Sequence, residues 1–159
     1  MVVANAGVVR GKTLLDAEER DLRMVFDVNV LGLLWTIKSF LPAMIEADHG
    51  HILVTSSATA FLTMANGADY CASKAAVTSL VEGLQTEMKH RYGNPRVRVS
   101  AIFPSTIATK MFDGIDAGYL DYLMPILKPE RVAERMLQTL LNGKRYLFLK
   151  SSCVCFTNR

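Results

Sequence analysis

The sequence predicts an α/β domain built on a parallel sheet, and two observations carry that prediction. Short apolar, β-branched runs alternate along the chain with long helical patterns, the order that builds right-handed βαβ units. The runs at 51–57 and 96–104 contain unbroken apolar stretches, Ile52-Leu53-Val54 and Ala101-Ile102-Phe103-Pro104, as strands of a buried sheet do.

The elements follow in order. Val2-Val3-Ala4 reads as a strand that ends in the turn residues Asn5-Ala6-Gly7. Residues 17–47 read as one long helix with Asp16 as N-cap and Glu18 and Glu19 in the first turn. Its middle is apolar nearly all round, which predicts cover on more than one side. Pro42 should kink it and Asp48-His49-Gly50 should end it. Residues 51–57 form a second strand, and 68–92 a second long helix that Gly93-Asn94-Pro95 stops. The third strand is 96–104, followed by a loop with a short helix over 105–127. Pro129 suits the first turn of a helix reaching Leu141, with Asn142-Gly143 as its stop, and 145–150 is a last strand. Repeats and linkers are lacking, so residues 1–159 read as one domain.

Composition narrows the function classes. Half of the 159 residues are apolar and 21% are charged, the balance of a globular chain, with a formal charge of +3. The densest basic stretch, Lys89-His90-Arg91 with Arg96 and Arg98, reads as a solvated helix end rather than a nucleic-acid site. Cys71, Cys153 and Cys155 suit neither a disulfide framework nor a zinc site and point to a reducing compartment. His49 and His51 flank a turn glycine without further ligands nearby in sequence, so a metal site is not expected. No uninterrupted run of about 18 apolar residues predicts a membrane span. The first residues are strand-like rather than signal-like, so the chain reads as beginning inside a fold.

Ligands of open parallel sheets bind at the carboxyl ends of the strands. Asn5, Ser57 and Pro104 each follow a predicted strand and should gather along that edge. Tyr70 and Lys74 stand one helical turn apart on one face, near the start of the second long helix. An ammonium and a helix N-terminus both favour phenolate, which would bring a tyrosine from a pKa of about 10 towards proton exchange at neutral pH. Ser57 could hold the same oxygen by a hydrogen bond. Tyr-x-x-x-Lys alone occurs by chance in many helices, so the surroundings decide. Ser56 is a rival to Ser57, and the thirteen-residue spacing to Tyr70 favours Ser57.

Those surroundings resemble the short-chain dehydrogenase/reductase family. Asn5-Ala6-Gly7, Asn29 in "VNVLG", Ser57 in "VTSSA", Tyr70 and Lys74 in "YCASKAAV", and Pro104 with Thr109 in "PSTIAT" occur in the family's order. The resemblance implies a partial Rossmann-type, doubly wound parallel sheet with flanking helices. It implies a nicotinamide cofactor, NAD or NADP, and interconversion of an alcohol with its ketone or aldehyde. By the same resemblance Tyr70 is the general acid/base, and Lys74 lowers its pKa and binds the nicotinamide ribose. Ser57 positions the substrate oxygen, and Asn29 holds a water that relays protons to Lys74. Pro104, Ile107 and Thr109 cradle the nicotinamide, and Asn5, Ala6 and Gly7 lie towards the adenosine. Ala4 and Ser105 depart from the family's usual Asn and Gly at those places.

"GADYCASK", "TKMFDG" and "LKPERVAERM" are similar to the branch that acts on retinoids and hydroxysteroids, which implies a small lipophilic substrate. The apolar loop residues Met111, Phe112, Ile115, Tyr119, Leu120, Tyr122, Leu123 and Met124 would suit one. The family also pairs its two long helices in a homodimer, compatible with the small-residue stripe Ala72, Ala76, Ser79 and Gly83. An intracellular place is expected, cytoplasmic or on the endoplasmic reticulum or lipid droplets. The family's glycine-rich strand-turn-helix is not found in these residues, so the chain reads as an N-terminally truncated domain. The alternative to an enzyme is an inactive, dimerising chain.

Overall fold

In a computed structural model the described residues are 1–93, 95–112, 114 and 126–149. Four parallel strands, β1 (Val2–Ala4), β2 (Gly50–Thr55), β3 (Val97–Pro104) and β4 (Tyr146–Leu149), lie side by side in chain order. Val3 pairs with Leu53, Leu53 with Ser100, and Ala101 with Tyr146.

The predicted helix over 17–47 is divided. α1 (Glu19–Phe26) runs into a π-helical turn (Asp27–Leu31) and then α2 (Gly32–Glu46). The cap is Glu18, not Asp16. The Glu18 carboxylate accepts from the third-residue N–H, and Asp21 Oδ2 accepts from the Glu18 N–H at 3.2 Å, closing a reciprocal capping box. Asp16 instead closes a local turn with the Thr13 hydroxyl. α3 is Ala68–His90. α4 is Pro129–Asn142, with proline in its first turn and Gly143 at φ 62° as its left-handed stop, where a Cβ would lie 2.5 Å from the Arg98 guanidinium.

Side-chain alternation along the strands makes two cores. On one face Ile52, Val54, Val99, Ala101 and Phe103 pack against Leu33, Ile37, Leu41 and Met44 of α2 and Val77, Val81, Leu84 and Met88 of α3. On the other, Leu53, Ile102, Leu147 and Leu149 pack against Leu127 and, on α4, Val132. Successive strands step in one direction across the sheet, yet α4 lies on the opposite face from α2 and α3. The β3–α4–β4 crossover therefore has the opposite hand to the two before it, a correction to the expected uniform right-handed units. The long connection over 105–128 permits this, because it can leave the sheet edge towards either face.

The helical run Glu19–Glu46 is long and apolar enough, by length and composition, to cross a membrane. Its inner stripe lies on the sheet, and Trp35 and Phe40 face outward. Ile115, Tyr119, Leu120, Tyr122, Leu123, Met124, Cys153 and Cys155 lie outside the described residues.

Candidate active site

The buried stripe of α3 continues beyond the apolar core. Met88, Leu84, Val81 and Val77 cover the sheet, and the next two inward positions are Lys74 and Tyr70, each 4% exposed. The helix overhangs the carboxyl ends of the strands there, so the same face that makes a core further along presents a phenol and an ammonium to a cleft. That cleft has a volume of ≈ 810 Å³, and Asn5, Gly7, Thr55, Ser57, Tyr70 and Lys74 form one side. Pro104, Ile107 and Thr109, with Phe112, form the other.

Two serines end β2 and are told apart by their bonds. The Ser56 hydroxyl donates to the Lys74 carbonyl at 3.1 Å and pairs with Thr78 Oγ1 at 2.9 Å, so it is tied into α3. Ser57 caps the short 3-10 turn Ala58–Ala60 and lines the cleft together with the Tyr70 phenol.

Lys74 Nζ donates to the Thr55 carbonyl at 3.0 Å and lies 5.7 Å from the centre of the Tyr70 ring. Burial alone lowers its pKa to about 8. Tyr70 departs from the sequence expectation: burial pushes its hydroxyl up to about 12, against a smaller downward pull from the Ser57 hydroxyl. Burial is the largest cause, and Cys71 adds a smaller upward push. The ground state is a neutral phenol, with Phe112 edge-on to its ring at 5.9 Å.

Asn29 sits inside the π turn, 2% exposed. Its Oδ1 accepts from the Val8 N–H at 2.8 Å, and its Nδ2 donates to the Val8 carbonyl at 3.0 Å and to Ser73 Oγ at 2.9 Å. Ser73 in turn donates to the Tyr70 carbonyl at 2.7 Å. Asn29 thus ties the loop following β1 to the first turns of α3. A Cβ on Gly7 would lie 3.4 Å from Lys74 Nζ and 3.5 Å from Asn29 Oδ1, so the glycine keeps open the space between them. Asn5 Oδ1 accepts from Thr55 Oγ1 at 2.8 Å, and Ala6 is exposed and outside the cleft lining. The structure brings Asn5, Gly7, Ser57, Tyr70, Lys74, Pro104, Ile107 and Thr109 together on one cleft, with Ala6 and Asn29 outside its lining. The sequence reading missed Ser73 and the Thr55 carbonyl; backbone acceptors leave no signal in sequence.

A profile described as short chain dehydrogenase matches residues 1–119. The chain belongs to the short-chain dehydrogenase family. It is 40% identical to human epidermal retinol dehydrogenase 2 over 152 residues, 94% of this chain and 48% of that protein. Against mouse estradiol 17-beta-dehydrogenase 11 the identity is 33% over 157 residues, 99% of this chain and 51% of the relative. The chain thus spans about half the length of these curated relatives. Among solved members of the short-chain dehydrogenase fold, the archaeal alcohol dehydrogenase from Thermococcus sibiricus complexed with 5-hydroxy-NADP superposes with a TM-score of 0.75. That pair is 29% identical and covers 99% of this chain and 65% of the other. A Burkholderia cenocepacia short chain dehydrogenase in complex with NADP gives 0.79 at 25% identity, covering 95% and 61%. These neighbours share the parallel sheet and flanking helices of the Rossmann-type fold.

Proposed function

We propose that the chain carries the proton-transfer half of an NAD(P)-dependent oxidoreductase site that interconverts a lipophilic alcohol and its ketone or aldehyde. The observation that carries the reading is the convergence of Ser57, Tyr70 and Lys74 on one cleft at the carboxyl ends of β1 to β3. Tyr70 holds its proton in the resting state and can deliver it to a carbonyl oxygen or recover it from an alcohol. Ser57 steadies that oxygen, and Lys74 stands behind the phenol to balance charge when the proton leaves. Nicotinamide, when bound, supplies or accepts the hydride. The room beside Gly7, the Lys74 amine and the wall from Pro104 to Thr109 fit the nicotinamide-ribose end of such a group. A lipophilic substrate is supported by the apolar lining of Met64, Ile107, Met111, Phe112 and Ile126, and by the names of the retinol and estradiol dehydrogenases above.

The partner reading is a homodimer through the two long helices. Trp35 and Phe40 on α2, and Ala72, Ser79 and Gly83 on α3, all face outward.

The deciding experiment follows nicotinamide absorbance with retinol and with a hydroxysteroid, beside a fluorescence titration of NADH and NADPH. Tyr70→Phe should lower kcat by about 100-fold or more and leave nucleotide Kd within about twofold. A variant that keeps the turnover of the unaltered chain would remove Tyr70 from the role.

A further inference from the structure

We infer that Thr59 is a positioning residue that fixes the direction of the Ser57 hydroxyl, so that its proton is donated into the cleft towards the Tyr70 oxygen or a substrate oxygen beside it. The inference deepens the site reading above and rests on it.

A serine oxygen has one proton to give and two lone pairs that accept. Ser57 Oγ accepts from the Thr59 backbone N–H at 3.1 Å and from the Thr59 hydroxyl at 2.9 Å. Both accepting positions are then filled by one residue, and only the proton of Ser57 is left to point elsewhere. The backbone brings this about. Ser57 is extended, with φ −159° and ψ 156°, and caps the 3-10 turn in which Thr59 is the middle residue, so Thr59 is carried back over the serine oxygen. Both residues line the cleft, whereas Ser56 is engaged with Lys74 and Thr78.

The direction matters for proton traffic. A serine free to accept would take the Tyr70 proton into a hydrogen bond of its own and compete with a carbonyl substrate for it. A serine whose lone pairs are filled can only donate. It leaves the Tyr70 proton available and gives a second donor to the oxygen on which negative charge develops. Thr59 touches neither that oxygen nor Tyr70 in this scheme and acts through Ser57.

The test reads the phenol directly. The C–O stretch of a tyrosine lies lower when its hydroxyl accepts a hydrogen bond than when it only donates, because donation moves the phenol towards phenolate and strengthens the C–O bond. Infrared difference spectra of the chain with ring-labelled tyrosine, with Tyr70 identified by the band lost in Tyr70→Phe, show which holds. In the unaltered chain the band should lie at the accepting end. Thr59→Val should move it towards the donating end, and Thr59→Ser should restore it. A band at the donating end in the unaltered chain overturns the inference without any variant. So does an unmoved band in a Thr59→Val chain whose circular dichroism is unchanged.

Thr59→Val should also lower kcat roughly tenfold with KM changed by less than about twofold, the loss of one hydrogen bond made in the transition state. If the band moves as expected while the unaltered chain turns over no alcohol, the function reading fails and the role of Thr59 stands. If the chain is active and the band does not move, the reverse holds.

Discussion

Lys74 is a cation that the fold keeps out of water, and its titration sets a measurable stability. Its pKa falls from 10.5 to about 8 on folding, through burial. The folded chain therefore releases this proton before the unfolded chain does. Stability is reduced below pH 8 and recovers as the pH rises from 8 towards 10.5. Tyr70 acts in the opposite sense, since its hydroxyl rises from 10.0 to about 12 and stability falls as the pH climbs through that window. Lys74→Met should thus raise stability by about 1–3 kcal/mol at pH 7. By pH 9.5 most of that gain should be gone. Urea unfolding at the two pH values checks this, and equal gains at both would contradict it. That Ser57, Tyr70 and Lys74 meet at one cleft was legible because helical spacing and strand ends are written in sequence. The raised pKa of Tyr70 was not, because it depends on how much water the assembled cleft admits.

At the scale of elements, Asp21 holds the start of α1 to the loop that precedes it. Its carboxylate is 1% exposed and meets Lys12 Nζ at 2.7 Å and Arg10 Nε at 3.0 Å. The hydrogen bond from Lys12, with lesser ones from the Glu18 N–H and Arg10, holds its pKa down to about 2 against the opposing effect of burial. That contribution is fully present above pH 3.8 and is lost as the pH falls towards 2. Asp21→Asn should flatten the fall of the thermal midpoint between pH 4 and pH 2. It should also speed amide exchange over residues 8–18 at pH 6, which exchange spectroscopy resolves. Sequence periodicity found the helix but named the wrong cap. Asp16, Glu18 and Asp21 are all acids at plausible distances from the first turn, and the reach of Arg10 and Lys12 decides among them. The π turn was equally hidden, since one extra residue within an apolar run hardly changes its pattern. It matters because Asn29 sits in it and bridges Val8 to Ser73.

Across the whole molecule, β1 and β4 are the outer strands of the described sheet, and Val3 on β1 is 42% exposed. An apolar edge without Lys, Pro or a bulge is a template for pairing with another chain. Val3→Lys should reduce light scattering at high protein concentration without shifting the circular dichroism spectrum; unchanged scattering would assign self-association to another surface. The parallel direction of the strands could be read from the alternation of patterns, and the described elements fell within a few residues of where the sequence put them. The face on which α4 docks could not be read. Val132 and its neighbours show that the helix has an apolar side, and nothing in that side tells which surface of a sheet, itself apolar on both, it will meet.

The reversed third crossover also bears on the chain as it is made. Leu53 and Ile102 are fully buried, and the side chains that cover them come from Leu127, Val132, Leu147 and Leu149. Among the described residues the buried cluster on the opposite face ends at Phe103, onto which only the rings of Tyr146 and Phe148 are added later. A ribosome delivering the chain from its N-terminus can therefore nearly complete one half of the core while the other half still waits in water for residues not yet synthesised. For that interval the middle of the sheet is a one-sided surface, and a chaperone that shields it would act on this face alone.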